Sequence, residues 1–363
     1  MLFIFQKMCK NVWFRKNFQF SLNILLFYSR KILVGTTILT TVFLFSLSLN
    51  DSNLELPFYD SSGLQTSSEY SERLSLLNRV CQTYKEQVQN ISMKMFHLED
   101  AIQISLKSDI LVDRERDFFW CKVPKAASSS WVELFLSERK RETNNIGLTH
   151  TILRRLMPRP KSLLELQDIQ TNSFSFMTVR HPFDRLLSAY RDKFFRLDNS
   201  SQENIKASKF YNLYGKEIIK NYRTEPPEHD TYQKVPTFKE FVSYLLETSF
   251  SKFNEHWLPY FLLCTPCHVR YNVIGKTETI NEDSSYIMQK LKEHGVFLTE
   301  QEQGSLQHTH KTGNKSTPSN SQNYFSQIPR RMVESLYARY YLDFLMFGYD
   351  IEPFLSYAIP SNP

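Results

Sequence analysis

One segment constrains the fold of this chain most: a short apolar strand pattern that runs directly into a loop and then a helix pattern. Residues 118–121 read Phe-Phe-Trp-Cys, which is typical of a buried strand. Pro124 and Lys125 follow in the loop, then three consecutive serines, and a helix is predicted over residues 132–139. N–H groups at a helix start and a nearby lysine together form a pocket for an anion. The segment therefore predicts a phosphate-binding loop.

A second segment of the same design lies about fifty residues further along the chain. Residues 174–179 are strand-like, Arg180 follows them, and Pro182 stands at the first turn of the next predicted helix. Because the carboxyl ends of parallel strands meet at one edge of a sheet, we expect Arg180 and Ser188 to bind a second phosphate there. The simpler alternative remains open for the first loop, which contains no glycine: a lysine in a connection whose serines only cap a helix.

Both segments resemble nucleotide-binding motifs of Golgi carbohydrate sulfotransferases, which transfer sulfate from 3′-phosphoadenosine-5′-phosphosulfate (PAPS). Residues 124–131 resemble the 5′-phosphosulfate loop and residues 180–188 the 3′-phosphate motif. The branch concerned contains chondroitin and dermatan 4-O-sulfotransferases, N-acetylgalactosamine 4-O-sulfotransferases and a glucuronyl 3-O-sulfotransferase. The resemblance spans residues 72–354 and includes further motifs at residues 254–257, 263–267, 274–279 and 342–349.

The resemblance implies a P-loop-like sulfotransferase fold of the α/β class, with a mostly parallel sheet flanked by helices. It implies a nucleotide site formed by Pro124, Lys125, Ala126, Ala127, Ser128, Ser129, Ser130, Arg180, His181, Pro182, Phe183, Asp184, Arg185, Leu186, Leu187 and Ser188. Arg185 is expected either to assist at the 3′-phosphate or to face solvent. The first loop reads Lys-Ala-Ala-Ser-Ser-Ser-Trp where many members have Lys-Val-Ala-Cys-Thr-Asn-Trp, which leaves the acceptor open.

Two residues are the candidates for catalysis. Lys125 is predicted to neutralise the negative charge that builds on the bridging oxygen of the departing nucleotide. His256 is predicted to take the proton of the acceptor hydroxyl, since histidine titrates in the right range. Glu255 and His181 are rivals for the second role, and a structural histidine packed beside an aromatic ring is the alternative. The cosubstrate carries the reactive group, so no metal is predicted.

The acceptor is predicted to be N-acetylgalactosamine in chondroitin or dermatan chains, sulfated at its 4-hydroxyl. Residues 214–219 and 254–259 resemble that branch most. Sister specificities are the alternatives: glucuronate 3-O transfer, or terminal N-acetylgalactosamine on protein-linked glycans. A catalytically inactive glycan-binding protein also stays open, although it would be expected to lose Lys125 or Arg180. A nucleotide kinase is disfavoured because Ala126, rather than a magnesium-binding hydroxyl residue, follows Lys125.

The amino-terminal region predicts a single-pass type II protein of the Golgi membrane, with its catalytic part in the lumen. Residues 1–31 carry basic side chains and no acidic one, and residues 32–49 carry no charge. They predict a cytoplasmic tail and a membrane-spanning anchor. Residues 50–71 then suit a flexible stem. A net charge of +6 suits an acidic polysaccharide but also simple solubility, and no nucleic-acid-binding module is visible.

The sulfotransferase domain is predicted over residues 72–354, with a helical lead-in over residues 72–107 and a tail at residues 355–363. Apolar residues recur at alternating steps of three and four over residues 74–102. We favour a helix laid against the domain over a coiled coil that forms a homodimer, because flanking complementary charges are few. Residues 210–222 and 238–246 also predict helices. Lys276 is interpreted as a solvated turn residue.

Glycans and disulfides are expected in a lumenal protein. Asn-x-Ser sequons at Asn90, Asn199 and Asn314 are possible glycan sites. Four cysteines lie beyond the predicted anchor, which permits two disulfides with three connectivities. The prediction is a Cys81–Cys121 pair, and a structural role for Cys264 and Cys267.

Overall fold

The computed structural model describes residues 67–96, 109–139, 146–195, 204–205, 208–224, 234–296 and 317–360. The predicted tail, the predicted anchor and most of the predicted stem lie outside these ranges. Across the part of the chain that is described, no helix has the length and apolar character that crossing a membrane requires.

The described elements are helices with four short strands among them, as in an α/β domain. In chain order they are α1 (Ser67–Thr83), α2 (Lys85–Phe96), β1 (Ile110–Asp113), β2 (Phe118–Cys121), α3 (Ser128–Glu138), α4 (Ile146–Leu156), α5 (Leu163–Asn172), β3 (Phe174–Val179), α6 (Pro182–Lys193), a π-helical turn (Tyr211–Gly215), α7 (Lys216–Tyr222), α8 (Phe238–Glu247), a 3₁₀ turn (Phe250–Lys252), α9 (Tyr260–Leu263), β4 (Val273–Lys276), a second 3₁₀ turn (Thr277–Thr279), α10 (Ile280–Glu293), α11 (Thr317–Phe325), α12 (Arg330–Phe347) and α13 (Glu352–Tyr357).

The four strands form one sheet in the order β1-β2-β3-β4. β1 is antiparallel to β2, whereas β2, β3 and β4 run parallel. All six residues of β3 are buried, as expected for a strand covered on both faces of a parallel sheet. The prediction of a mostly parallel sheet flanked by helices is therefore confirmed. The loops after β2, β3 and β4 all leave the same edge of the sheet.

Aromatic packing fixes α3, which follows the phosphate-loop segment, against the sheet. The Trp131 ring lies 4.9 Å from that of Phe176 in β3, measured between centroids. Phe135, one turn further on, lies 5.6 Å from Trp120 in β2. All four rings are fully buried. Each such ring pair contributes about 1 kcal/mol beyond the area it buries, so the amino end of α3 is held close to the end of β2.

The lead-in helix lies against the domain, as predicted. Leu77 and Val80 of α1 are buried in the core, and Arg73 donates hydrogen bonds to Asp283 at 2.8 Å and to the carbonyl of Ile274 at 2.9 Å. The predicted boundary of the stem is too late, because the helix begins at Ser67. The predicted lead-in also consists of two helices rather than one, and residues 97–108 lie outside the described part. At the other end, residues 355–359 are packed rather than a free tail, since Leu355 is buried.

The disulfide prediction is wrong in its pairing, although two disulfides do form. Cys81 of α1 is bonded to Cys267, and Cys121 at the end of β2 is bonded to Cys264. The two cysteines of the Cys-x-x-Cys motif therefore turn to different partners. The motif ties its short segment to both α1 and the sheet, and it is structural, as predicted. The closed loops span 186 and 143 residues, and closing loops of this size stabilises by about 5 kcal/mol each in the chain-entropy account.

A buried carboxylate supports the segment that contains His256. Asp343 of α12 is fully buried and accepts hydrogen bonds from the N–H groups of Tyr260 and Phe261 at 2.7 and 3.1 Å. It thereby caps the short helix α9. Burial raises the pKa of Asp343 from 3.8 to about 7, although these two hydrogen bonds and the charge of Arg185 oppose the shift.

Replacing Asp343 with asparagine is expected to change how stability depends on pH. In the native protein Asp343 keeps its proton up to a pH of about 7, whereas in the unfolded chain it loses it near 3.8. Its contribution to the free energy of unfolding must therefore fall as pH rises between these values, by at most about 1.4 kcal/mol per pH unit, and level off above 7. Urea unfolding of both proteins from pH 4.5 to 8.5 measures this. Parallel curves for the two proteins would contradict the assignment.

Candidate active site

The loop after β2 adopts an unusual backbone conformation without any glycine. Lys125 and Ala127 have φ angles of 69° and 61°, in the left-handed region that side chains disfavour. The hydroxyl of Thr178 in β3 donates to the carbonyl of Ala126 at 2.7 Å, which holds the loop against the neighbouring strand. Strained residues of this kind persist where surrounding contacts fix them and cluster at ligand sites.

The amino end of α3 is open to an anion. Ala127 precedes the helix and has no side chain that caps it, and the first N–H groups of any helix lack partners within the helix. Ser128, Ser129 and Ser130 form this first turn, and Ser129 and Ser130 are partly exposed. N–H groups, hydroxyls and the Lys125 ammonium are the donors that a phosphosulfate requires, so these residues fit the predicted cosubstrate.

Several residues of the second motif, Arg180 to Ser188, stabilise the fold. The side chains of Phe183, Leu186 and Leu187 are buried in the core, so they do not form a ligand surface. Asp184 accepts a hydrogen bond from the hydroxyl of Ser321. Arg180 remains partly exposed at the end of β3, as a phosphate ligand must be.

His181 is a helix cap, and both of its ring nitrogens are used. Nδ1 accepts from the N–H of Phe183 at 3.2 Å, and Nε2 therefore donates to the carbonyl of Asp350 at 2.9 Å. Its own N–H donates to Glu278 at 2.7 Å. Burial lowers the pKa of His181. This geometry argues against His181 as the catalytic base, because neither nitrogen is left for a substrate proton.

Arg185 neither faces solvent nor points at a phosphate. It is 1% exposed, and its guanidinium donates to three backbone carbonyls: those of Pro124 at 3.1 Å, Leu258 at 2.8 Å and Glu255 at 2.8 Å. The expectation that Arg185 faces solvent is therefore wrong, and its guanidinium is used on carbonyls. The side chain joins the phosphate-loop segment to the segment that contains His256, a role that sequence reasoning missed.

Lys125 is paired with a carboxylate that sequence reasoning also missed. Its ammonium lies 3.1 Å from Asp192, which also contacts Lys193 at 3.0 Å. Burial opposes ionisation of Asp192, yet the two lysines lower its pKa to about 2. Ser188 stands four residues before Asp192 on α6, so both side chains lie on one face of the helix. That face is the one directed at the loop lysine.

The imidazole of His256 has the form that a general base requires. Its Nδ1 donates to the side-chain oxygen of Asn254, because an amide oxygen only accepts. Nε2 is therefore the unprotonated nitrogen. Burial, and after it the charges of Lys193, Lys125 and Lys122, hold the pKa of His256 well below its ordinary 6.5. Arg185 links the two segments, because it donates to the carbonyl of Pro124, before Lys125, and to that of Glu255, before His256.

A π-helical turn positions the ring beside His256. Phe210 precedes this turn, and its ring centroid is 5.2 Å from that of His256. The ammonium of Lys193 lies 4.5 Å from the ring centroid of Phe210. Within the turn, a Cβ on Gly215 would approach Tyr211 to 2.7 Å, so only glycine fits. The predicted helix over residues 210–222 is thus a π-helical turn followed by α7. Such turns frequently occur at functional sites.

Two further charged residues lie at this edge of the sheet. Glu255, the other rival for the base, contacts Lys122 at 3.8 Å and Arg154 at 3.5 Å. Lys276 pairs in register with Val179 at the end of β3, and its ammonium lies 4.7 Å from the ring centroid of Tyr349. Burial lowers its pKa. The interpretation of Lys276 as a solvated turn residue is therefore wrong.

The remaining expectations concern glycosylation and metals. Asn90 is exposed on α2, whereas Asn199 and Asn314 lie outside the described residues. Within the ranges described, no group of three metal-binding side chains occurs.

The strand-end loop with its open helix end, the paired lysine and the neutral histidine define a nucleotide-dependent group-transfer enzyme of the α/β class. The family described as "Sulfotransferase family" matches residues 108–350. The chain therefore belongs to the sulfotransferase family, and it is an enzyme that uses PAPS.

The similar proteins are carbohydrate sulfotransferases. Carbohydrate sulfotransferase 11 of Mus musculus is 30% identical over 257 residues, which are 68% of each chain. Carbohydrate sulfotransferase 14 of Danio rerio is 29% identical over 276 residues, 72% of this chain and 68% of the relative. Carbohydrate sulfotransferase 10 of Xenopus laevis is 30% identical over 306 residues, 79% and 78% respectively. No solved structure matches.

Replacing Arg185 with lysine is expected to lower the free energy of unfolding by about 3 kcal/mol, because an ammonium cannot satisfy three separated carbonyls and leaves buried acceptors unpaired. Urea unfolding measures the loss. Arg330→Lys is the matched control, since Arg330 is 42% exposed and its guanidinium pairs with Glu334 on its own helix. A loss no greater than that of the control would show that the three contacts contribute little.

The pH profile should reveal the lowered pKa of His256. A base with an ordinary pKa of 6.5 would lose half of kcat/KM at that pH, whereas His256 stays neutral and active well below it. Replacing Lys193 with glutamine removes one of the charges that lower the pKa, so the acid limb of the profile should move to higher pH. If the acid limb of the Lys193→Gln profile stays at the same pH, His256 is excluded as the group that titrates.

Proposed function

We propose that this enzyme transfers the sulfuryl group of PAPS to the 4-hydroxyl of N-acetylgalactosamine in chondroitin or dermatan chains. The observation that carries the proposal is the link through Arg185, which joins the loop before Lys125 to the segment of His256 at one edge of the sheet. The identity to carbohydrate sulfotransferases 11 and 14, and the resemblance of residues 214–219 and 254–259 to the 4-O branch, support this acceptor. PAPS supplies an activated sulfuryl group when bound.

His256 would act as the general base. Its unprotonated Nε2 would accept the proton of the acceptor hydroxyl, while Asn254 fixes the orientation and tautomer of the ring. Burial and the nearby lysines keep the imidazole neutral, so it is ready to accept a proton at mildly acidic pH.

Lys125 would stabilise the charge that develops on the departing nucleotide. Its ammonium pairs with Asp192 at 3.1 Å, which fixes its position. Such preorganised charge in a partly buried site is a large term in catalysis. Ser128, Ser129 and Ser130 would bind the 5′-phosphosulfate, and Arg180 with Ser188 would bind the 3′-phosphate. Lys276, which pairs in register with Val179, the residue before Arg180, is a further candidate ligand.

The proposed setting is the Golgi lumen. The basic residues 1–31 and the uncharged residues 32–49 support a type II anchor, and the two disulfides support an oxidising compartment. The exposed Asn90 is available for a glycan.

The sister specificities share this chemistry, so the test must choose between acceptors. The purified protein is incubated with radiolabelled PAPS and one acceptor at a time. The acceptors are desulfated chondroitin, desulfated dermatan, heparan and a glycan ending in N-acetylgalactosamine. Label is expected in chondroitin and dermatan. Label chiefly in the glycan that ends in N-acetylgalactosamine would make that glycan the acceptor in place of chondroitin. Label in none of the four, with PAPS still bound, would exclude all of them as acceptors.

Replacing Lys125 with alanine is expected to lower kcat by about 10²- to 10³-fold, the usual loss when one charge-stabilising donor is removed. Lys290→Ala is the matched control, because Lys290 is also a partly exposed lysine paired with a carboxylate, Glu293, at 2.9 Å. It borders the opposite edge of the sheet, where β3 and β4 begin. Equal activity of both variants would exclude Lys125 from the chemistry.

A further inference from the structure

A second group of charged residues lies next to the proposed active site, and no step of the proposed reaction uses it. We call it the Asp109 cluster: Asp109, Lys122, Arg154, Arg159 and Glu255. Asp109 precedes β1, and its carboxylate is 2% exposed. It contacts Lys122 at 3.0 Å, Arg159 at 2.5 Å and Arg154 at 3.5 Å. Three cations thus surround one buried carboxylate.

The two arginines of the cluster are more exposed than its lysine. Lys122 is 5% exposed and lies 3.0 Å from Asp109, whereas Arg154 and Arg159 are 43% and 44% exposed. Arg159 donates one close hydrogen bond to Asp109, at 2.5 Å. Arg154 reaches its two carboxylates, Asp109 and Glu255, only at 3.5 Å and with the same nitrogen, a distance longer than that of an ordinary N–H···O hydrogen bond.

The charge of the cluster favours an anion. Three cations stand against two carboxylates, and Asp109 is ionised: burial opposes this, but Lys122, Arg159 and Arg154 lower its pKa. His150, one turn before Arg154 on α4, is held neutral because burial, Lys122 and Arg154 lower its pKa. The nearby Lys125, Lys193 and Asp192 add a second excess of positive charge.

The cluster is joined to the catalytic histidine by one peptide unit. Glu255 contacts Arg154 at 3.5 Å, and His256 is the next residue, its Cα about 3.8 Å from that of Glu255. Arg185 fixes the position of this peptide segment by donating to the carbonyl of Glu255. Arg154 therefore lies against the segment that carries His256, so a glycan chain that runs from His256 along Glu255 would meet it.

We propose that Arg154 and Arg159 bind the carboxylate of the uronate next to the sulfated sugar, and that they select an acidic glycan chain over a neutral glycan. The inference rests on the proposed function. A guanidinium binds a carboxylate with two parallel hydrogen bonds, and chondroitin alternates a uronate with N-acetylgalactosamine. The exposed arginines thus match the chemistry of that repeat.

The test pairs a protein variant with an acceptor variant. The full chain and its Arg154→Gln variant are each assayed on unsulfated chondroitin and on the same chondroitin with its uronate carboxyls reduced to alcohols. Unsulfated acceptor excludes sulfate esters as the bound anion. On chondroitin, Arg154→Gln is expected to raise KM about tenfold with kcat little changed, the worth of one charged hydrogen bond. On carboxyl-reduced chondroitin the two proteins should have the same KM.

Arg330→Gln is the matched control, because Arg330 is an arginine of the same exposure, 42%, in a pair with one glutamate. Arg330→Gln should leave the KM for both acceptors unchanged. An Arg154→Gln effect of equal size on both acceptors, or none on either, would overturn the proposal. PAPS affinity, measured separately, should be the same in all three proteins.

A binding measurement separates this inference from the proposed reaction. Fluorescence anisotropy of labelled unsulfated chondroitin hexasaccharide gives its Kd without any transfer. If the protein transfers sulfate to no acceptor but Arg154→Gln weakens hexasaccharide binding about tenfold, the proposed function fails and the carboxylate site stands. If transfer to chondroitin occurs and neither KM nor Kd responds to Arg154→Gln, the function stands and the carboxylate site falls.

Discussion

The guanidinium of Arg185 is the contact on which the proposed site depends. A single buried side chain donates to the carbonyl of Pro124, just before the loop lysine, and to the carbonyls of Glu255 and Leu258 on either side of the histidine. Lys125 and His256 stand 131 residues apart in the chain, so nothing local sets their separation. The rigid, planar guanidinium of Arg185 sets this separation instead, because its donors point in fixed directions.

Around this contact, charges are arranged so that each reactive group has the state that its role needs. Asp192 holds Lys125 in place. The lysines near His256, together with burial, keep the imidazole neutral. The same positive charges that would attract an anionic nucleotide therefore also keep the proposed base neutral.

Sequence reasoning predicted the parts of this structure whose signals are local. The apolar runs of β2 and β3 and the serines after Lys125 predicted two strand-to-helix segments on one sheet edge, and the sheet has that arrangement. The sequence also predicted the position of each motif. It could not predict which side chains of a motif face the interior of the protein. His181, Arg185 and Leu186 look like ligands in a pattern, yet they cap a helix, bind carbonyls and fill the core.

The signals that sequence reasoning could not find are those created by packing. Asp192 and Arg154 are ordinary helix-surface residues in the sequence, and only the placement of α6 and α4 brings them to Lys125 and Glu255. Cysteine pairing is of the same kind. The spacing of Cys264 and Cys267 suggests a shared role, but the turn between them directs one toward α1 and the other toward the sheet.

The two disulfides also determine when the native cysteine pairs can form during synthesis. Both connect the Cys264–Cys267 segment to residues 186 and 143 positions earlier in the chain. At a ribosomal rate of about 5–20 residues per second, the early cysteines wait many seconds as free thiols before their partners emerge. During that interval they are open to premature oxidation, including with each other. The native pairing must therefore be reached late, either by protecting the early thiols or by exchanging a first, wrong bond, and yield in an expression host should depend on its capacity for disulfide exchange.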